Sequence, residues 1–201
     1  GIGKEAFQES LSSGKSGIST ITRFDTSELP VRIAGEIKNF DPHLFMDKKL
    51  VRRTDRFSQY GIAATKMAVE DAGIDSDRAD RERETVSRGT ALAGGEFTEE
   101  QHKAFIKYGA RKVSPILGTV FYNDSCVAQI CIEFGLKGGS ITLSGACAAS
   151  STAIAYAFNR IRENHMDVVL GGGIGYFAGL YFHKRKNQSV IFDGNGIVIK
   201  F

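Results

Sequence analysis

Apolar residues recur every three or four positions in several stretches of the chain, which is the spacing of an amphipathic helix. The clearest stretch is Phe57–Ala72, and Gly73 follows it as a stop signal. The segment before it, Asp41–Phe57, is polar and rich in Lys and Arg. Further helices are predicted over Lys4–Ser13, Thr98–Tyr108, Cys126–Phe134 and a stretch ending near Asn164.

Short runs rich in β-branched and apolar residues lie between these helices and predict strands. A dense run of charges over Asp75–Glu84 is interpreted as a solvated loop. Helices alternating with short strands predict an α/β layered fold, and no internal repeat is visible. The predicted strands are Ile18–Phe24, Val31–Ile37, Thr85–Ala93, Ser140–Leu143 and Asp167–Leu170.

Composition places the chain among ordinary globular proteins. It has 201 residues, 42% of them hydrophobic and 24% charged, with a net charge of +3. That net charge is too small to indicate nucleic-acid binding. The sequence contains no run of about 18 apolar residues, so it does not predict a membrane span. Three cysteines without a Cys-x-x-Cys pair argue against a disulfide framework or a zinc site and favour the cytoplasm. The chain begins at Gly1 without a methionine, so we expect a fragment whose first strand is missing.

Cys147 lies where a predicted strand passes into a long helix, among small residues. A helix N-terminus presents free amide hydrogens that favour an anion and could hold the oxyanion formed when a thiolate attacks a thioester. Cys147 is therefore a candidate nucleophile. The alternative is a small hydrophobic residue in a tightly packed helix, and spacing alone leaves both open. Cys126 and Cys131 are expected to be core residues.

The segment Gly138–Gly172 closely resembles the region around the active-site cysteine of the β-ketoacyl synthases, the condensing enzymes of fatty acid and polyketide synthesis. The residues before it resemble the same family over 13–42, 53–74 and 109–116, in the same order. The similarity covers residues 1–173 and is closest to the bacterial enzymes of the elongating type. Residues 174–201 diverge and look abbreviated.

The resemblance implies a thiolase-like fold of α-β-α-β-α layers, present here mostly as its N-terminal half and usually found as a homodimer. It implies that Cys147 accepts an acyl chain from an acyl carrier protein as a thioester. Malonyl carrier protein would then lose carbon dioxide and condense with that thioester. No metal or organic cofactor is implied, because the phosphopantetheine arm of the carrier delivers the substrates.

Two basic clusters match positions at which relatives bind the acidic carrier protein. One consists of Lys49, Arg52 and Arg53, and the other of Arg111 and Lys112. Clustered cations steer an acidic partner, but the charge pattern alone favours a solvated helical face. The four histidines match no catalytic position of the family and are expected at the surface. They are His43, His102, His165 and His183.

Members of this family use two histidines of their C-terminal half in condensation, and this chain ends at Phe201 before either motif. We therefore expect that the chain alone is at most acylated at Cys147 and does not condense. A non-catalytic remnant or partner subunit is one alternative. Another is a dinucleotide site, because Gly173–Ala178 fits G-x-G-x-x-[GA] and Asp193 lies near the distance of a ribose-binding acid.

Overall fold

A six-stranded mixed sheet organises residues 42–201. The computed structural model describes residues 2–74, 80–173, 180–183, 190–193 and 196–200, and from residue 171 onward it describes the backbone alone. The strands lie in the order β4-β3-β5-β6-β8-β7. Their bounds are β3 Glu84–Thr90, β4 Ile141–Ser144, β5 Val168–Gly173, β6 Leu180–His183, β7 Val190–Asp193 and β8 Gly196–Lys200.

Strand β3 lies second in this sheet, between the edge strand β4 and β5, and all seven of its residues are buried. It pairs in parallel with β4 and with β5, so that Gly89 lies opposite both Leu143 and Gly173. The guanidinium of Arg83 donates from two nitrogens to the two carboxylate oxygens of Asp167, both at 2.8 Å. This bidentate pair joins the segments that lead into β3 and β5, and it favours their register.

Helices pack on both faces of β3. Successive side chains of a strand point to opposite faces. Ser87 bonds to helix α7 (Ala149–Arg162) on one face, and Arg88 covers the ring of Phe57 in helix α3 (Arg56–Ala72) on the other. The remaining helices of this part are α2 Lys48–Arg53, α4 Gly95–Tyr108, α5 Leu117–Val120 and α6 Ser125–Phe134, with 3₁₀ turns at Pro42–Leu44, Arg81–Arg83, Ala110–Lys112 and Ala146–Ala148.

All the predicted helix ends but one agree with the observed ones to within two residues, because the sequence signals act locally. The carboxylate of Asp55 accepts from the Ser58 amide at 3.1 Å and caps the start of α3. Gly73 ends α3 in the left-handed conformation with φ 60°. Helix α4 begins at Gly95, three residues before the predicted start, and β3 ends at Thr90, before the predicted Ala93.

Residues 1–41 form a unit of their own. It contains helix α1 (Lys4–Ser12) and strands β1 (Ile18–Thr20) and β2 (Ile33–Gly35), which pair antiparallel. The carboxylate of Glu36 accepts a hydrogen bond from the Thr22 amide at 3.0 Å. The helix and both strands were predicted here, but the strands are shorter than the apolar runs that indicated them.

The larger unit has an apolar core between the sheet and helices α3 and α6. A second, smaller cluster lies under α7. Within the described residues, no helix combines the length and apolar character needed to cross a bilayer. The buried members of the main cluster are Met46, Ile62, Val86, Cys126, Val127, Ile130, Val168 and Leu170.

One local prediction needs correction. The charge run over Asp75–Glu84 was predicted to be a solvated loop, but its last residue is buried. Glu84 is 2% exposed and is the first residue of β3. One oxygen of its carboxylate, Oε2, accepts from the Arg81 guanidinium at 2.8 Å, while Oε1 is buried without a hydrogen-bond partner among the described residues. Residues 75–79 of that run lie outside the described part. The polar stretch Asp41–Phe57 contains helix α2, whose N-cap Asp47 accepts from the Leu50 amide at 2.7 Å.

The dinucleotide interpretation is also wrong. A nucleotide-binding βαβ unit needs two parallel strands joined by a helix of a dozen residues or more. Strand β5 instead continues through Gly173, and the next strand, Leu180–His183, pairs antiparallel to it. The proposed glycine turn at residues 174–178 lies outside the described residues. The two described strands therefore do not form the parallel pair that such a unit needs.

Candidate active site

Cys147 lies at the corner where the sheet passes into helix α7. Strand β4 ends at Ser144, and the 3₁₀ turn Ala146–Ala148 carries Cys147 at its centre. The amide of Ala148 donates to the carbonyl of Gly145 at 3.0 Å, and α7 begins at Ala149. The thiol is free and Cys147 is exposed. The predicted placement of Cys147 at a strand-to-helix corner is confirmed.

The backbone of this corner is strained at Ala146. This residue has φ 46°, in the left-handed region that non-glycine residues rarely adopt. The preceding Gly145, which could adopt it freely, has φ −149° instead. A left-handed alanine costs about 1–2 kcal/mol and persists only where the surrounding structure imposes it. The strain therefore stands directly before the candidate nucleophile.

The other two cysteines are core residues, as predicted. Cys126 is fully buried, and Cys131 is half-buried against the same cluster. Burial raises the pKa of the Cys126 thiol to about 11, so it stays protonated at neutral pH. Burial also raises the pKa of Cys131, and a hydrogen bond with Ser140 lowers it less. Burial therefore disfavours the thiolate form of both residues.

The first basic cluster lies along one side of helix α2. Lys49, Arg52 and Arg53 are three and four positions apart and are exposed. The opposite side of the helix, with Leu50 and Val51, packs against the main core cluster. Among the described residues, none of the three cations has a hydrogen-bond or ion-pair partner.

The second basic cluster lies between helices α4 and α5. Arg111 and Lys112 are exposed in the 3₁₀ turn Ala110–Lys112, which Gly109 precedes. Within the described part of the chain, neither forms an ion pair. Both clusters thus present charge to solvent. His43, His102 and His165 are exposed as predicted, and the side chain of His183 lies outside the described part.

An open groove of about 680 Å³ lies beside strand β4 and helix α6, and the sequence interpretation missed it. Cys147 is not among its lining residues, although β4 contributes to both the groove and the corner. The exposed rings of Phe121 and Tyr122, 5.6 Å apart, form part of it. The lining residues are Leu92, Ala93, Phe121, Tyr122, Asn123, Asp124, Val127, Ala128, Ser140, Ile141 and Thr142.

Arg88 is a buried cation that the sequence interpretation also missed. It is 4% exposed, its guanidinium lies 4.2 Å from the centre of the Phe57 ring, and it donates to the Asn123 carbonyl at 3.4 Å. Burial lowers the pKa of Arg88, and burial raises the pKa of nearby Asp55. In the described residues, no three His, Cys, Asp or Glu side chains gather as a metal site would require.

Residues 1–179 match the family model described as "Beta-ketoacyl synthase, N-terminal domain". The chain belongs to the β-ketoacyl synthase family. It is 33% identical over 189 residues to 3-oxoacyl-[acyl-carrier-protein] synthase 2 of Coxiella burnetii, covering 90% of this chain and 46% of that protein. The Staphylococcus aureus protein of the same name is 37% identical over 165 residues, or 82% and 41% of the two chains.

Solved structures of β-ketoacyl synthases share the fold. The ishigamide ketosynthase/chain length factor superposes with a TM-score of 0.78 at 28% identity, over 86% of this chain and 43% of that one. A type II PKS ketosynthase, solved with its acyl-carrier protein and a bound hexaketide, gives 0.66 at 28% identity, over 68% and 40%. The thiolase-like fold prediction is confirmed. The chain spans a little under half the length of its relatives.

Proposed function

We propose that this chain forms the N-terminal, nucleophile-bearing part of a β-ketoacyl-acyl-carrier-protein synthase, an acyltransferase of fatty acid or polyketide synthesis. The observation that carries the proposal is the exposed Cys147 at the strained corner before α7, in a chain of the β-ketoacyl synthase family. A thiol at such a corner can meet a substrate presented from solvent. The amides of the first turn of α7 lie next to it in sequence, where an oxyanion would form.

In the first stage the Cys147 thiolate attacks the carbonyl carbon of an acyl thioester. A new carbon–sulfur bond forms, and the bond to the phosphopantetheine sulfur breaks. The carrier leaves as a thiolate that takes a proton from the medium. In the second stage malonyl carrier protein loses carbon dioxide, and its carbanion attacks the acyl-Cys147 thioester and releases the thiolate. We assign no residue of this chain to the decarboxylation.

The two basic clusters support an acidic carrier protein as the partner. Lys49, Arg52 and Arg53 present three cations on one helical side, and Arg111 and Lys112 present two more. Cations that hold no internal partner remain available to an acidic surface and raise its association rate at low salt. A homodimer and a cytoplasmic location belong to the same proposal. Three free thiols fit a reducing compartment.

The test uses the full-length protein with octanoyl carrier protein and malonyl carrier protein. We expect a β-ketoacyl product from the wild type and none from Cys147→Ala. The 201-residue chain alone should take up the octanoyl group without condensing it. A full-length protein that binds carrier but never becomes acylated would contradict the proposal and favour a non-catalytic partner subunit.

A further inference from the structure

Gly89 of strand β3 brings the sheet and the first turn of α7 into direct backbone contact. A methyl group added at Gly89 would lie 2.2 Å from the carbonyl oxygen of Ala149, 2.3 Å from its carbonyl carbon and 2.5 Å from the amide nitrogen of Ser150. These three atoms belong to the backbone and cannot rotate away. The φ of Gly89 is not in the left-handed region, so the requirement for glycine here is spatial and not conformational.

A second contact fixes α7 one turn further along. The hydroxyl of Ser87 donates to the carbonyl oxygen of Ala153 at 3.0 Å, and both residues are fully buried. Ala153 lies four positions after Ala149, on the same side of the helix. Ser87 and Gly89 are two positions apart and lie on the same face of β3. They therefore fix both the distance of α7 from the sheet and its position along the strand.

The same end of β3 also holds the other side of the corner. Gly89 lies opposite Leu143 of β4, and Thr90 lies opposite Ser144, the last residue before the corner. Cys147 therefore stands in a four-residue link, residues 145–148. Ser144, just before this link, pairs with Thr90, and Ala149, just after it, packs against Gly89. The left-handed Ala146 lies inside that link. Such strain persists only when both ends are held.

We propose that Gly89 is a positioning residue for Cys147, with Ser87 as a second anchor. Gly89 sets the height of α7 over the sheet, and thereby sets where the thiol stands relative to the substrate thioester. This inference rests on the proposed nucleophilic role of Cys147. Both residues act through the helix, because the contacts described for them are with its backbone.

The central test is Gly89→Ala in the full-length protein, measured as single-turnover acyl transfer from octanoyl carrier protein. The methyl group of the new alanine would overlap the backbone of Ala149, and α7 must move by about 1 Å to relieve this overlap. A displacement of that size costs on the order of 100-fold in a reaction that depends on alignment. We expect the rate constant at saturating carrier to fall by about that factor. The carrier concentration at half-saturation should stay within about twofold, because the basic clusters are unchanged.

Two further variants bracket this result. Ser87→Ala removes one hydrogen bond without adding an atom, and it should lower the same rate constant about three- to fivefold. Gly118→Ala is the matched control, because a methyl group added there meets nothing within 4 Å. It should change neither quantity. Each rate constant is measured on protein that retains the wild-type circular dichroism, since a loss of folded protein lowers the amplitude of the reaction and not its rate constant.

Folded Gly89→Ala or Ser87→Ala protein that transfers at the wild-type rate constant would overturn the positioning role. An effect confined to the half-saturation concentration would do the same. If Gly89→Ala does not fold, Ser87→Ala decides the question. Failure of the proposed function looks different, because either the wild type would then take up no octanoyl group or Cys147→Ala would be acylated as well as the wild type.

Discussion

The packing of α3 against α6 offers a quantitative test at Gly61 and Cys126. A methyl group added at Gly61 would lie 2.3 Å from the Cys126 sulfur and 3.7 Å from Ile130 Cδ1. Cys126 is fully buried, so its sulfur has no free space to enter. Gly61→Ala therefore forces the two helices apart. Overpacking of this kind costs about 1–3 kcal/mol, and the better helix propensity of alanine returns about 1 kcal/mol.

Cys126→Ala alone should lower the free energy of unfolding by about 1–2 kcal/mol, because it removes a buried sulfur and leaves a small cavity. In the double variant the new methyl group enters the space that the sulfur has left. The clash then disappears, the cavity is partly filled, and the helix propensity gain remains. We expect the double variant to lie within about 1 kcal/mol of the wild type, which corresponds to a favourable coupling of about 2 kcal/mol.

The measurement is urea unfolding of the four proteins, followed by far-UV circular dichroism because the chain contains no tryptophan. Gly61→Ala combined with Cys131→Ala is the control pair. No atom of Cys131 lies within 4 Å of the added methyl group. The effects of Gly61→Ala and Cys131→Ala on the free energy of unfolding should therefore add within about 0.5 kcal/mol. Additivity of the Gly61 and Cys126 substitutions would refute the described contact between α3 and α6.

Two further predictions concern pH and charge. Because burial raises the pKa of Cys126 from 9.0 to about 11, the unfolded chain loses this proton first, and stability falls as pH rises through that interval. Between pH 8 and pH 11 the free energy of unfolding of the wild type should fall by about 2–3 kcal/mol more than that of Cys126→Ala; equal losses would contradict this. Arg52→Glu should raise the half-saturating concentration of carrier protein about three- to tenfold at low salt, with a smaller effect at high salt. Lys137→Glu, also exposed, is the control; an equal effect from both would indicate net charge and not a docking surface.

Much of the fold follows from local signals in the sequence. The end of α3 was predictable because a glycine acts there on its own neighbours, at Gly73. Cys147 was predictable as a corner residue because a β-branched run passes directly into small residues. What was missed depends on distant partners. Glu84 is buried because it opens β3, where it lies opposite Val168 of β5, 84 positions further along the chain. No local pattern distinguishes it from a solvated glutamate.

The candidate site shows the same division. The roles of Cys147 and of the two basic clusters were predicted from the resemblance. Residue spacing alone does not distinguish Cys147 from a core thiol, and it does not distinguish the basic clusters from the solvated side of a helix. The strain at Ala146 was not predictable, because Gly145 beside it is the residue that sequence rules would choose for a left-handed conformation. The contact of Gly89 with Ala149 joins residues 60 positions apart, and only the folded chain shows it.

The central claim is that Cys147 is the acyl acceptor, and peptide mapping of the octanoylated protein tests it most directly. The full-length protein is incubated with octanoyl carrier protein, digested at low pH and analysed by mass spectrometry. We predict the added octanoyl mass on the peptide that contains Cys147, and unmodified peptides for Cys126 and Cys131. An adduct on either of those two cysteines, or full acylation of Cys147→Ala, would contradict the account.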